Sequence, residues 1–273
     1  MENKFTFLPD IPYGEHERHK VDIYIPEKPT SQKGAILFIH GGGWHDGDKK
    51  IHNKDAEYFC NRGYICASMN YRFVSEKLSV FNELDDITSA IEELKIKCAE
   101  YGFDIEKLIL SGGSAGAHLA LLYAYTRRDE ASVTPVAVGA YCPPVNCAKP
   151  DFLMGISGEF QEWKHEILSK CCGVTVNKEN LLSEQSQNAL ERISPEKYVS
   201  ENSVPTAVFA GVEDELIPFG HIKEFVALLN EKGAKNDFVV YEKSGHALDK
   251  DPEAAQKAKE IIKNYAEVYF AEG

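Results

Sequence analysis

Short apolar, β-branched runs alternate along the chain with stretches whose apolar residues recur every three or four positions. Residues 21–25, 35–39 and 64–69 are the first such runs and read as strands. Leu84, Ile87, Ile91, Leu94 and Cys98 then fall on the single stripe of an amphipathic helix. A buried strand at 108–110 leads through a glycine-rich turn into a helix over about 115–125. Strands follow at 136–141 and 206–210, then a helix at 219–231 stopped by Gly233. A strand at 238–241 and a closing helix over 252–269, with Pro252 in its first turn, complete the pattern. Alternation of this kind predicts an α/β fold, a mostly parallel central sheet with helices on both faces.

One segment breaks the rhythm. The sixty residues 143–202 carry no strand pattern, yet they hold Phe152, Met154, Phe160 and Trp163. An ordinary helical excursion would look the same. Ligands in open α/β sheets bind beyond the carboxyl ends of the strands, however, so the segment is expected to be a helical cap over that edge. With no repeats, low-complexity tracts or linker-like runs, it reads as an insertion within one domain spanning 1–273.

Composition narrows the partners. A chain of 273 residues buries enough surface to fold without a metal or disulfide staple. Its 43 acidic against 30 basic residues give a net charge of -13, which repels phosphate backbones and anionic lipid. No nucleic-acid or membrane partner is therefore expected. No apolar run reaches the length of a membrane span, and the first twenty residues lack the apolar core of a secretory signal. Cys60, Cys66, Cys98, Cys142, Cys147, Cys171 and Cys172 are odd in number, several lie in apolar runs, and no CxxC occurs. They read as free thiols in a reducing cytoplasm. A homodimer stays open.

The sharpest chemical signal is Gly112-Gly113-Ser114-Ala115-Gly116, a G-x-S-x-G between the strand run LILS and the helix run AHLALLYAY. A serine on a tight strand-to-helix turn needs nearly side-chain-free neighbours two residues either side for the chain to reverse. The helix behind it offers the Ala115 N–H and a positive dipole end to a developing anion. Ser114 is the candidate nucleophile, and a serine hydroxyl needs a base that is in turn oriented by an acid.

Nine histidines compete for the base. His246, in Ser244-Gly245-His246, directly follows the last strand on the same carboxyl edge as Ser114. His16 and His19 read as solvated surface, His118 as a packed helix residue, and His165 and His221 have no partner that the sequence names. Asp214, after the strand at 206–210, is the candidate acid; Glu213 and Glu215 are rivals to which capping or solvated roles are better suited. For the oxyanion, His40-Gly41-Gly42-Gly43-Trp44 leaves another strand at the same edge, and its glycines let backbone N–H groups approach a ligand. Gly42, Gly43 and Ala115 are the candidate donors. Trp44, Tyr71, Phe160 and Trp163 are candidate walls of the substrate pocket.

The segments FIHGGGW, LILSGGSAGAHLA, AGVEDELIP and KSGHAL resemble those of the α/β-hydrolase superfamily. They are similar in particular to the small carboxylesterases related to hormone-sensitive lipase, to acetylxylan and feruloyl esterases, and to kynurenine formamidase. The resemblance covers roughly residues 21–270 and is weakest across the expected cap. It implies an α/β-hydrolase fold, Ser114, Asp214 and His246 as a catalytic triad, and HGGG as the oxyanion loop. It also gives Asn70-Tyr71-Arg72 and Asp86 mainly structural roles. Asn70 replaces the usual Asp of that motif, and Phe73-Val74-Ser75-Glu76 departs from the L-A-P-E of the hormone-sensitive-lipase branch.

Rival chemistries lack their motifs. There is no HExxH, no G-x-x-x-x-G-K-[ST], and no G-x-G-x-x-G after the first strand. His40, His45 and His52 could be imagined around a metal, but the glycine loop accounts for His40 better, so neither metal nor cofactor is expected. The expected activity is hydrolysis of small short-acyl esters through an acyl-enzyme. The runner-up is formamide hydrolysis like that of kynurenine formamidase, whose loop tends to carry a bulkier residue where Gly43 stands. A hydrolase-fold protein that only binds ligands is the rival from another class, and it would be expected to have lost a triad member.

Overall fold

The apolar runs of the sequence pair into one sheet. The computed structural model describes residues 4–31, 33–154 and 159–271, the side chains of 153, 154, 159 and 160 excepted. Its strands are β1 (Phe5–Pro12), β2 (Lys20–Pro26), β3 (Gly34–Ile39), β4 (Ile65–Met69), β5 (Lys107–Gly113), β6 (Thr134–Tyr141), β7 (Thr206–Gly211) and β8 (Asn236–Tyr241). Its helices are α1 (Asn53–Cys60), α2 (Val80–Glu100), α3 (Ala115–Thr126), α4 (Pro150–Met154), α5 (Glu159–Cys172), α6 (Glu184–Arg192), α7 (Phe219–Glu231) and α8 (Pro252–Ala271). The strands lie in the order β1-β2-β4-β3-β5-β6-β7-β8. β2 runs antiparallel to β1 and β4, and every other neighbouring pair is parallel. This is the α/β-hydrolase fold.

Burial explains the elements. β3, GAILFI, is buried at every position, as a strand covered on both faces must be. Its Ala35, Leu37 and Ile39 enter the core shared with α2, α3 and α7, while Ile36 and Phe38 enter the core shared with α1 and α8. α3 is apolar nearly all round and runs inside the first of these layers. β1 and α1 do not follow from the hydrophobic pattern. FTFLPDIP mixes two prolines and an aspartate, and it pairs only with β2, breaking register between Leu8 and Ile11 at the sheet edge where prolines are tolerated. NKDAEYFC buries only Ala56, Phe59 and Cys60.

Because β3 through β8 are parallel, their carboxyl ends share one edge, and the loops after β3, β5, β7 and β8 carry Gly42, Ser114, Asp214 and His246 respectively. Helices α4, α5 and α6 occupy the connection from β6 to β7. All seven cysteines are free and buried. None of the described helices is long and apolar enough to cross a membrane.

Lys164 ties this connection to the sheet edge. It is 6% exposed. Its Nζ donates to the carbonyl of Phe152 on α4 at 2.7 Å and to that of Leu216, two residues past Asp214, at 3.4 Å. Burial, with no carboxylate partner among the described residues, pushes its ammonium down to about 8 from an ordinary 10.5, despite the opposing fields of Cys147 and Asp214. A lysine depressed in the folded state costs stability in full below pH 8, and the cost disappears as pH rises to the unfolded value near 10.5. Wild type is therefore expected to gain on the order of 3 kcal/mol relative to Lys164→Met between pH 8 and 10.5. Urea midpoints of the two proteins across that range measure it, and a constant difference would contradict the assignment.

Candidate active site

Ser114 sits where the strand-turn-helix motif requires it. Its backbone is held at φ 53 and ψ -121, a left-handed conformation that side chains rarely adopt. The turn is fastened by the Ser114 N–H donating to the Tyr141 carbonyl at 2.8 Å and by its carbonyl accepting from the His118 N–H at 3.0 Å. Glycine is obligatory two residues to either side of it. A Cβ on Gly116 would collide with the carbonyls of Ile39 and His40, and one on Gly112 would come within 2.6 Å of the Gly116 backbone.

Asp214 and His246 meet although 32 residues separate them. His246 Nδ1 lies 2.9 Å from Oδ2 and 3.1 Å from Oδ1 of Asp214, so Nδ1–H donates to the carboxylate and Nε2 is left as the acceptor. Asp214 also accepts from the N–H groups of Leu216 at 2.9 Å and Ile217 at 2.8 Å. Burial opposes its ionisation, but the His246 hydrogen bond and charge and these two N–H groups outweigh it and hold the carboxyl below the usual range. The rival acids have other tasks. Glu215 accepts from the His246 N–H at 3.2 Å, and Glu213 pairs with Lys250 at 3.7 Å.

Ser114 and His246 line one open groove of about 600 Å³ together with Gly41, Gly42 and Gly43. The glycine loop is braced from behind. Tyr71 stacks on the His40 ring at 4.3 Å and donates from its hydroxyl to the His40 carbonyl at 2.8 Å. Arg18 Nη2 reaches His40 Nε2 at 3.2 Å, while Nδ1–H of His40 donates to the Gly41 carbonyl at 2.7 Å. Burial, reinforced by Arg18, pushes His40 down to about 4, so the loop is held by a neutral imidazole. Gly42 and Gly43 stand at φ 118 and 57, and a Cβ on Gly42 would strike the Asp46 carbonyl. Among the described residues no acceptor takes the N–H of Gly42, Gly43 or Ala115. Unpaired N–H groups sharing a groove with a serine and a carboxylate-oriented imidazole are the equipment of acyl transfer.

Several expectations are corrected by packing. Tyr71 is fully buried and Trp44 is 5% exposed, its Nε1 donating to His118 Nδ1 at 3.1 Å; neither lines the groove, because both support the loop from the core side. His118 passes the chain on, its Nε2–H donating to the Ile193 carbonyl at 2.6 Å. Trp163 does not line the groove either; it is half-buried over the glycine loop. Its ring edge lies 3.2 Å from the point where a Cβ on Gly43 would stand, and its Nε1 is 3.4 Å from His45 Nε2. The Phe160 side chain, like that of Met154, lies outside the described residues. His19 is not solvated surface but stacks on Tyr13 at 4.8 Å and sits 3.2 Å from Asp86. His221 meets Asp151 at 2.9 Å. His40, His45 and His52 go to separate partners, the carbonyls of Gly41, Gly43 and Ile39.

The structural roles drawn from the resemblance have clear partners. Arg72 forms a forked pair with Asp86, Nη2 to Oδ1 at 2.5 Å and Nε to Oδ1 at 2.9 Å. Asn70 accepts from the Lys49 N–H at 2.6 Å and donates to Asp48 at 3.0 Å, a two-way role that an aspartate would not fill.

A family model described as BD-FAE matches residues 21–229. The chain belongs to the BD-FAE family. The BD-FAE match takes in the glycine loop, Ser114 and Asp214 and ends before His246. A probable isoprenylcysteine alpha-carbonyl methylesterase of Arabidopsis thaliana is 26% identical over 86% of this chain and 50% of its own length. The probable carboxylic ester hydrolase LipM of Mycobacterium tuberculosis is 29% identical over 95% of this chain and 61% of its own. The chain thus spans about half the length of that plant relative. Esterase B from Lactobacillus rhamnosis shares the fold with a TM-score of 0.77 at 18% identity, over 96% of this chain and 85% of that one.

Sequence reasoning missed most of the groove beyond the glycine loop, Ser114 and His246. Phe38, Tyr141 and Tyr241 line it from the carboxyl ends of β3, β6 and β8, and the carboxyl-edge rule that singled out Ser114 could have found them. Asp55 and Lys259 line it from α1 and α8, and no sequence signal marks them. Arg18 was hidden in a polar loop whose fold depends on the core behind it.

Proposed function

We propose that this BD-FAE protein is a serine hydrolase that cleaves small carboxylic esters. The observation that carries the reading is His246, hydrogen-bonded to Asp214 at 2.9 Å, in one groove with Ser114 and the unpaired N–H groups of Gly42 and Gly43. Ser114 Oγ attacks the ester carbonyl carbon as His246 Nε2 takes its proton, and Asp214 stabilises the imidazolium. The oxygen of the tetrahedral intermediate accepts from the N–H groups of Gly42, Gly43 and Ala115, aided by the N-terminus of α3. The C–O bond to the alcohol then breaks, His246 returns the proton to the alcohol oxygen, and the acyl group stays on Ser114. A water activated by His246 releases the acid by the same steps.

Residues 143–202 act as a cap in this reading, within a single domain spanning 1–273, and the position of Trp163 over Gly43 supports it. Acyl groups from acetate to butyrate are the preferred substrates. The net charge of -13 favours a neutral small molecule over nucleic acid, and seven buried free thiols suit the cytoplasm. A p-nitrophenyl ester series run beside N-formylkynurenine tests the substrate class; hydrolysis of the formamide alone would replace the ester reading with the formamidase one. Trp163→Ala is expected to change the ratio of kcat/KM between butyrate and acetate about tenfold. An unchanged ratio would mean that Trp163, packed on Gly43, takes no part in substrate selection.

A further inference from the structure

The groove does not stop at the reacting atoms. Past Ser114 it continues between α1 and α8, where Phe38, Phe59, Tyr141 and Tyr241 are among its lining residues. Along α8 its lining runs from Ala255 to Lys259, one turn further on. The next inward position, Ile262, is 1% exposed and packs against Gly139, so the groove has ended there. At that end Lys259 Nζ reaches across from α8 to Asp55 Oδ1 on α1 at 3.5 Å and stands 4.7 Å from the Tyr58 ring centroid. His52 Nδ1 lies 3.6 Å from the other Asp55 oxygen.

We propose that this groove receives an unbranched apolar arm of the ester and that the Asp55–Lys259 bridge is its end wall, setting the longest arm accepted. The inference rests on the ester-hydrolase reading above. Aromatic walls reward each methylene taken out of water. The bridge does the reverse. Asp55 and Lys259 are still 37% and 33% exposed, and an alkyl terminus pushed against them strips water from two charges without offering a hydrogen bond in return. Arm length is thus limited by charge at the end of an apolar slot, with no steric plug needed.

Two ester series on the full chain distinguish which arm enters: p-nitrophenyl esters from acetate to dodecanoate vary the acyl side, and alkyl acetates from ethyl to dodecyl vary the alcohol side. In wild type kcat/KM is expected to fall beyond a limiting length in one series. In the double variant Asp55→Ala, Lys259→Ala, the ratio of kcat/KM for the first excluded length to that for the shortest ester should rise about tenfold or more. Ala255→Leu, which fills the slot, should move the limit to shorter arms and decides the matter if the double variant does not fold. A limit unmoved by these variants in both series would overturn the end-wall assignment while leaving ester hydrolysis intact. Failure of wild type to hydrolyse either series, with no labelling by a fluorophosphonate, would overturn the underlying reading and this inference with it.

Discussion

His246→Ala is expected to lower kcat for ester hydrolysis by about 10³–10⁶-fold with the fold retained. The side chain is 17% exposed and lies at the groove, so truncating it opens no core cavity, and near-unchanged thermal unfolding should accompany the loss of rate. Asp214→Asn should be roughly 10–100-fold less severe, because an amide can still contact the ring but favours the wrong tautomer and does not stabilise the imidazolium. Since the Asp214 carboxyl is held below its ordinary 3.8, the stability it contributes is present above that pH and is lost only as pH falls through the lower folded value. Steady-state kinetics and unfolding curves of both variants check this. An inactive Glu215→Gln beside a fully active Asp214→Asn would transfer the acid to Glu215.

The second large effect concerns folding. Gly116→Ala is expected to destabilise the protein by about 3 kcal/mol or more, since the added methyl meets two backbone carbonyls, of Ile39 and His40, that belong to a buried central strand and the braced loop after it. Gly113→Ala, only three residues away, meets nothing within 4 Å and should unfold near the wild-type midpoint. Urea unfolding of the pair measures the contrast. Equal midpoints would mean that the turn can relax, and the close approach of α3 to β3 would then not be what demands glycine.

The two glycine variants also illustrate what a sequence can disclose. G-x-S-x-G is legible because a tight turn, an exposed hydroxyl and a helix start impose residue types within five positions. The central parallel strands are legible for a similar reason, since burial on both faces demands continuous apolar runs such as GAILFI. The acid and base could be picked from their rivals only through the topology, which turns the position after a strand into a position on one edge. What escaped depends on partners far away in sequence. β1 is a strand because β2 offers it an edge, in spite of two prolines. Tyr71 and Trp44 looked like pocket walls because aromatic residues near a glycine loop suit either side of it, and only packing shows that both stand behind. The Asp55–Lys259 bridge joins residues more than two hundred positions apart on helices with no motif of their own.

Stoichiometric labelling with a fluorophosphonate followed by peptide mapping distinguishes Ser114 as a covalent nucleophile from every other serine. One phosphonyl group per chain is expected, carried by Ser114, with hydrolysis lost in step with labelling and neither labelling nor hydrolysis in Ser114→Ala. Labelling that persists in Ser114→Ala, or that maps to the groove-lining Ser111 instead, would contradict it.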